Sequence, residues 1–119
     1  MANIKESLGK LMEVDGAMAV AIVDSGSGLV LGKEGAGVDL DLAGAGNTEV
    51  VRAKMKTMKT LNLNDTIEDI LITLGKQYHI IRPVASAEGL FIYLVLIKDR
   101  ANLALARRKV LDVEAQLKV

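Results

Sequence analysis

The sequence has no cysteine and no tryptophan, and only one proline and one histidine in 119 residues. Without thiols there is no disulfide framework, no cysteine nucleophile and no thiolate metal site. A single histidine, His79, removes the paired imidazoles on which many transition-metal sites depend. Two tyrosines and one phenylalanine are the only aromatics, few with which to line a ligand pocket. Net charge is absent too, because fifteen Lys and Arg balance fifteen Asp and Glu. That balance withdraws the sequence-independent attraction to phosphate backbones typical of nucleic-acid binders, so no nucleic-acid partner is expected. The longest apolar run, "LFIYLVLI" at 90–97, falls far short of the ~20 residues that cross a bilayer, and no membrane insertion is expected. The N-terminal "MANIKESLGKLMEVDG" is broken by charges and lacks a signal-peptide core. Half of the residues are hydrophobic, enough to bury a core. Residues 1–119 are therefore expected to form one soluble, cytoplasmic domain.

Glycine, by contrast, is plentiful, with eleven copies, and it crowds "IVDSGSGLVLGKEG" at 22–35. A phosphate loop reads G-x-x-x-x-G-K-[ST], its backbone N–H groups wrapping the phosphates and its hydroxyl holding magnesium. Counting back from Gly32-Lys33 puts Ser27 at the first glycine and Glu34 at the hydroxyl position, where an acid repels phosphate. The dinucleotide pattern G-x-G-x-x-G fails because Leu31 holds its last position. Read instead as "DSGSG" between apolar runs at 17–23 and 28–32, the stretch is a hairpin turn. The chain is expected to bind neither GTP nor ATP, and no cofactor is expected.

Elsewhere, periodicity sets the elements. Ile4, Leu8, Leu11 and Met12 recur at helical spacing over 3–13, with Asn3 and Glu6 placed as a capping box. In 17–23, Ala17, Ala19 and Ala21 alternate with Met18, Val20 and Ile22, the pattern of a strand buried on both faces whose alanine side a helix can approach closely. Within 39–62, Val51, Met55 and Met58 form an apolar stripe beside the basic row Arg52, Lys56 and Lys59. Gly44 and Gly46 each cost about 1 kcal/mol inside a helix. This helix either starts after them, capped by Asn47 or Thr48, or keeps them for close packing. Residues 66–74 and 77–84 pair as a second hairpin, with Pro83 at a strand end. Residues 90–97 form a central strand, and Asp99 is placed to cap a last helix carrying Leu103, Ala106, Val110, Val113 and Leu117. The order helix-strand-strand-helix-strand-strand-strand-helix implies a three-layer α/β/α sandwich around a five-stranded, mainly antiparallel sheet.

That order, with "GAMAVAIVDSGSGLVLG", "IEDILITLGKQYHIIRPV" and "GLFIYLVLIKDRANLALARRKV", resembles the Roadblock/dynein light-chain family over essentially the whole chain. The resemblance implies a small non-catalytic domain that forms a homodimer by setting central helices together and third strands edge to edge. Bacterial and archaeal relatives regulate or bind Ras-like small GTPases, and eukaryotic ones serve as dynein subunits and scaffolds. The leading expectation is thus a homodimeric regulator of a Ras-like small GTPase. A dynein-type scaffold and a small-molecule sensory domain are the alternatives.

The residues offer catalysis little. His79 lies in a strand, with Ser86 and Asp69 the only candidates to stand near it. Glu34, Asp39 and Asp41 lack calcium-loop spacing and read as a solvated loop and an acidic helix start. Met55 and Met58 suit a core or a helix-to-helix interface, and by sequence alone the core is favoured. The resemblance places them, with Val51, Ile70 and Ile72, at the dimer interface, because an open apolar strand edge needs cover. Arg52, Lys56 and Lys59 are the candidate partner-binding residues, cationic groups able to steer an acidic surface.

Overall fold

The first helix, α1 (Ile4–Met12), leads through Asp15 and Gly16 into the hairpin β1 (Ala17–Asp24) and β2 (Leu29–Gly35). The long helix α2 (Leu40–Thr60) follows, then β3 (Ile70–Thr73), β4 (Gln77–Pro83), β5 (Leu90–Ile97) and α3 (Leu103–Gln116). These elements belong to a computed structural model that describes residues 3–118. The five strands lie in the order β2-β1-β5-β4-β3, and every neighbouring pair is antiparallel. The two doubly buried strands expected from their unbroken apolar runs, β1 and β5, occupy the centre.

One core lies between the sheet and α1 with α3. Leu8, Leu11, Val20, Ile22, Ile92, Leu94, Val110 and Val113 fill it. The other lies under α2, where Ala19, Ala21, Val23, Phe91, Tyr93 and Val95 meet Leu40 and Val51. The alanine face of β1 does admit the helix closely. A Cβ at Gly44 would stand 2.7 Å from Val30 Cγ2 and 3.5 Å from Val23 Cγ2, so glycine sets the depth to which α2 sinks. Both Gly44 and Gly46 lie inside α2, whose N-cap is Asp39, its side chain accepting from Leu42 N. Asn47 and Thr48 sit within the helix and donate to the carbonyls of Ala43 and Gly44.

Four expectations are corrected. The strict alternation in β1 breaks at its start. Ala17 pairs with Leu96 and Ala19 with Val95, so a bulge absorbs Met18 and turns it to the α2 side, while Ala17 joins the opposite core. Asn3 occupies the N-cap of α1 without a side-chain cap. Its amide instead bonds Gln116 O at 2.8 Å and accepts from Lys118 N at 2.7 Å, tying α1 to the end of α3. Asp99 does not cap α3, because Asn102 does, accepting from Leu105 N. Finally, the strand expected over 66–74 is confined to Ile70–Thr73. The register Ile70↔Ile81 would next set residues 69 and 68 against Arg82 and Pro83. Proline has no N–H to donate, and Asp69 instead binds Arg107 of α3 by two bonds of 2.8 and 2.9 Å.

Candidate functional site

The glycine-rich stretch is a turn built around a carboxylate. Asp24 accepts from Gly26 N at 2.9 Å and Ser27 Oγ at 3.0 Å, and Gly28 supplies the positive φ of 79°. Lys33, which a phosphate loop would aim at phosphate, is held 2.6 Å from Asp41. Asp39 is spent on capping, so Glu34, Asp39 and Asp41 do not converge. His79 meets neither Ser86 nor Asp69 through a hydrogen bond. Its ring nitrogens face Tyr93 and Gln77, and Asp69 is taken by Arg107.

What remains open is a surface. The first half of α2 seats on β1 and β2, burying Leu40, Gly44, Thr48 and Val51, while the side chains of its second half are exposed apart from a half-buried Met58. Val51, 2% exposed, belongs wholly to this chain's own core. Further along the same stripe Met55 is 51% exposed and Met58 is half-buried. β3 forms one edge of the sheet, and Ile70 and Ile72 on its α2 side are only half-buried. The fold thus brings Met55, Met58, Ile70 and Ile72 to the same side of the sheet as Val51, which differs from them in being fully buried. Exposed Leu61 and Leu63 lie in the connection from α2 to β3. Leu63 was missed because a loop carries no periodicity from which to infer a face.

Beside this strip lies a groove of about 580 Å³ between the end of α2, the 63–68 segment and the end of β4. Met55, Met58, Leu63 and Val84 give it apolar walls, and Lys59 stands at its margin. Arg82 and Glu114 also line it, 2.9 Å apart, with side chains only 17% and 8% exposed. The basic row is not uniform. Lys56 and Lys59 are exposed without an ion-pair partner among the described residues, but Arg52 Nη2 donates to Gly26 O at 2.7 Å, clamping the β1–β2 turn onto α2. Among the described residues, no helix is long and apolar enough to cross a membrane.

Solved structures share this arrangement. A Roadblock/LC7 domain from Streptomyces avermitilis superposes with a TM-score of 0.83 at 9% identity, over 97% of this chain and 94% of that one. The chain has the Roadblock/LC7 fold. MglB of Myxococcus xanthus matches with a TM-score of 0.83 at 16% identity, covering 95% of this chain and 89% of its own. An MglB in a tetrameric arrangement gives 0.84 at 17% identity, over 96% and 84%. No family model and no curated protein matches the sequence. The Roadblock/LC7 fold therefore rests on shape, with the sequences far diverged.

Proposed function

We propose that the chain is a non-catalytic, homodimeric interaction module that binds and regulates a Ras-like small GTPase. The observation that carries this reading is the incompletely covered strip formed by Ile70 and Ile72 on the sheet edge and by Met55 and Met58 on the exposed second half of α2. An apolar edge strand left open invites uncontrolled pairing. A second copy related by a two-fold axis removes the liability, laying β3 against β3 and α2 beside α2. Val51 supports that surface from beneath without touching the partner. The GTPase is inferred from the Roadblock resemblance and supported by the fold shared with MglB.

Lys56 and Lys59 then border the seam, and their duplication across the dimer gives a cationic rim suited to an acidic patch. Arg52 contributes through its clamp on the hairpin turn. The test uses the GTPase recovered by pull-down with a non-hydrolysable GTP analogue, then purified and followed by surface plasmon resonance. The double variant Lys56→Glu/Lys59→Glu should associate about tenfold more slowly at low salt and lose most of its salt dependence. Unchanged association rates would reject the basic row as a recognition site. Failure of every purified small GTPase to bind in either nucleotide state would reject the partner class.

A small-molecule sensory role is the second reading, favoured by the groove of about 580 Å³, a volume within the range of ligand sites. A ligand filling it would raise the melting temperature without changing the mass of the assembly.

A further inference from the structure

Between α2 and the sheet runs a line of polar side chains that partner binding does not use. Tyr93 on β5 is 1% exposed. Its ring meets that of His79 edge-on, with centroids 5.4 Å apart, and its hydroxyl lies 3.1 Å from His79 Nδ1. His79 Nε2 is 2.8 Å from Gln77 Oε1, and Gln77 Nε2 donates to Met18 Sδ at 3.6 Å. From the helix, the Asn47 amide approaches the Tyr93 hydroxyl, and its Nδ2 donates to Ala43 O at 2.9 Å.

The donor inventory assigns the directions. Gln77 Oε1 only accepts, so Nε2 carries the ring hydrogen. Nδ1 of the neutral ring is then an acceptor, and the Tyr93 hydroxyl donates to it. Every group is satisfied while the ring is neutral. A proton on Nδ1 turns that acceptor into a donor and sets it against the hydroxyl hydrogen. The hydroxyl must rotate to accept from the ring, and its own hydrogen is driven toward Asn47, whose amide has to reorient.

We propose that Asn47, Tyr93 and His79 form a proton-sensitive latch in which protonation of His79 loosens the seat of α2 on the sheet. The surroundings give the imidazolium no counter-charge. Its cross-strand neighbours are Ile72 on β3 and Val95 on β5, β1 brings Met18, and α2 brings Asn47. Lys54 of α2 lines the groove beside Ile70 and adds only like charge. Tyr93, the other titratable group in the line, is pushed up by burial and stays protonated. Burial likewise holds His79 below its ordinary value. The neutral ring is thus the native form, so the latch is fully closed above about pH 6.5 and opens as pH falls through the lowered folded value. Asn47 lies between Gly44 and Val51, the deepest contacts of α2, so the disturbance falls where the helix is anchored. Weakened self-association in acid follows if α2 forms the dimer seam, a consequence that rests on the reading above. The latch itself lies within one chain.

The test is an NMR titration of the full chain from pH 8 to pH 5, in which the only histidine gives an unambiguous ring signal. His79 should titrate below 6.5, with the Asn47 side-chain amide and the backbone amides of residues 43–51 moving at the same midpoint. Tyr93→Phe should uncouple Asn47 from that midpoint, and His79→Gln should abolish the movement. Wild-type α2 amides that stay still while His79 titrates would overturn the latch, as would a His79 titrating at or above its ordinary value. Light scattering over the same range separates the consequence from its premise. A dimer dissociation constant at least threefold higher at pH 5.5 than at pH 7.5, in wild type but not in His79→Gln, supports the coupling. A pH-independent dimer refutes the coupling, and a monomer throughout refutes the dimer reading and leaves the NMR result to decide the latch.

Discussion

Arg82 and Glu114 join β4 to α3 through the most enclosed ion pair among the described residues. Removing one partner strands the other charge where water is scarce, a far larger penalty than the pair's own worth. Arg82→Met should therefore lower stability by about 3 kcal/mol in urea unfolding. Adding Glu114→Leu should restore most of it, because two apolar side chains replace the pair without an orphan charge. Equal losses in the single and double variants would show that packing, not charge, is at stake. No sequence pattern announces this pair, since 32 positions separate its members and only the fold brings them together. Asn3 teaches the same lesson. Its place before α1 was legible, but its amide is claimed by the end of α3, more than a hundred positions away.

At the scale of elements, two glycines in one helix serve different ends. At Gly44 an added methyl meets Val30 and Val23, whereas at Gly46 nothing lies within 4 Å. Gly46→Ala should stabilise the chain by about 1 kcal/mol, the ordinary helix-propensity gain. Gly44→Ala should instead destabilise it by about 1 kcal/mol, because overpacking outweighs the same gain. Thermal melts of the two variants read the contrast, and a stabilising Gly44→Ala would mean that α2 does not depend on close approach. Sequence periodicity identified every helix and strand, because unbroken apolar runs and three-to-four spacing reflect local geometry. It overextended β3, since the limit there is imposed by Pro83 on the neighbouring strand and by Arg107 on α3. It also missed the bulge at Met18, which only the register against β5 reveals.

For the whole molecule, the decisive feature is a sheet that ends in a partly covered apolar edge beside a helix whose second half is largely exposed. The spacing of Met55, Met58, Ile70 and Ile72 marks one face of a helix and one face of a strand, but only the Roadblock resemblance made them interface candidates. Val51 followed the same spacing into the core, since periodicity identifies a face but not the point where the sheet beneath it ends. Arg52 likewise shared a charged row with Lys56 and Lys59, yet its bond to Gly26 is a tertiary contact that spacing does not encode. The account stands on association through this face. A charge at Met55 would be buried without a partner in the assembled state and harmless at a half-exposed position in the free chain. Light scattering coupled to size exclusion at micromolar concentration tests this most directly. The wild type should show about twice the 12.7 kDa chain mass, and Met55→Glu should shift toward a folded monomer. A wild type that is strictly monomeric, or a Met55→Glu dimer as tight as the wild type, would contradict it.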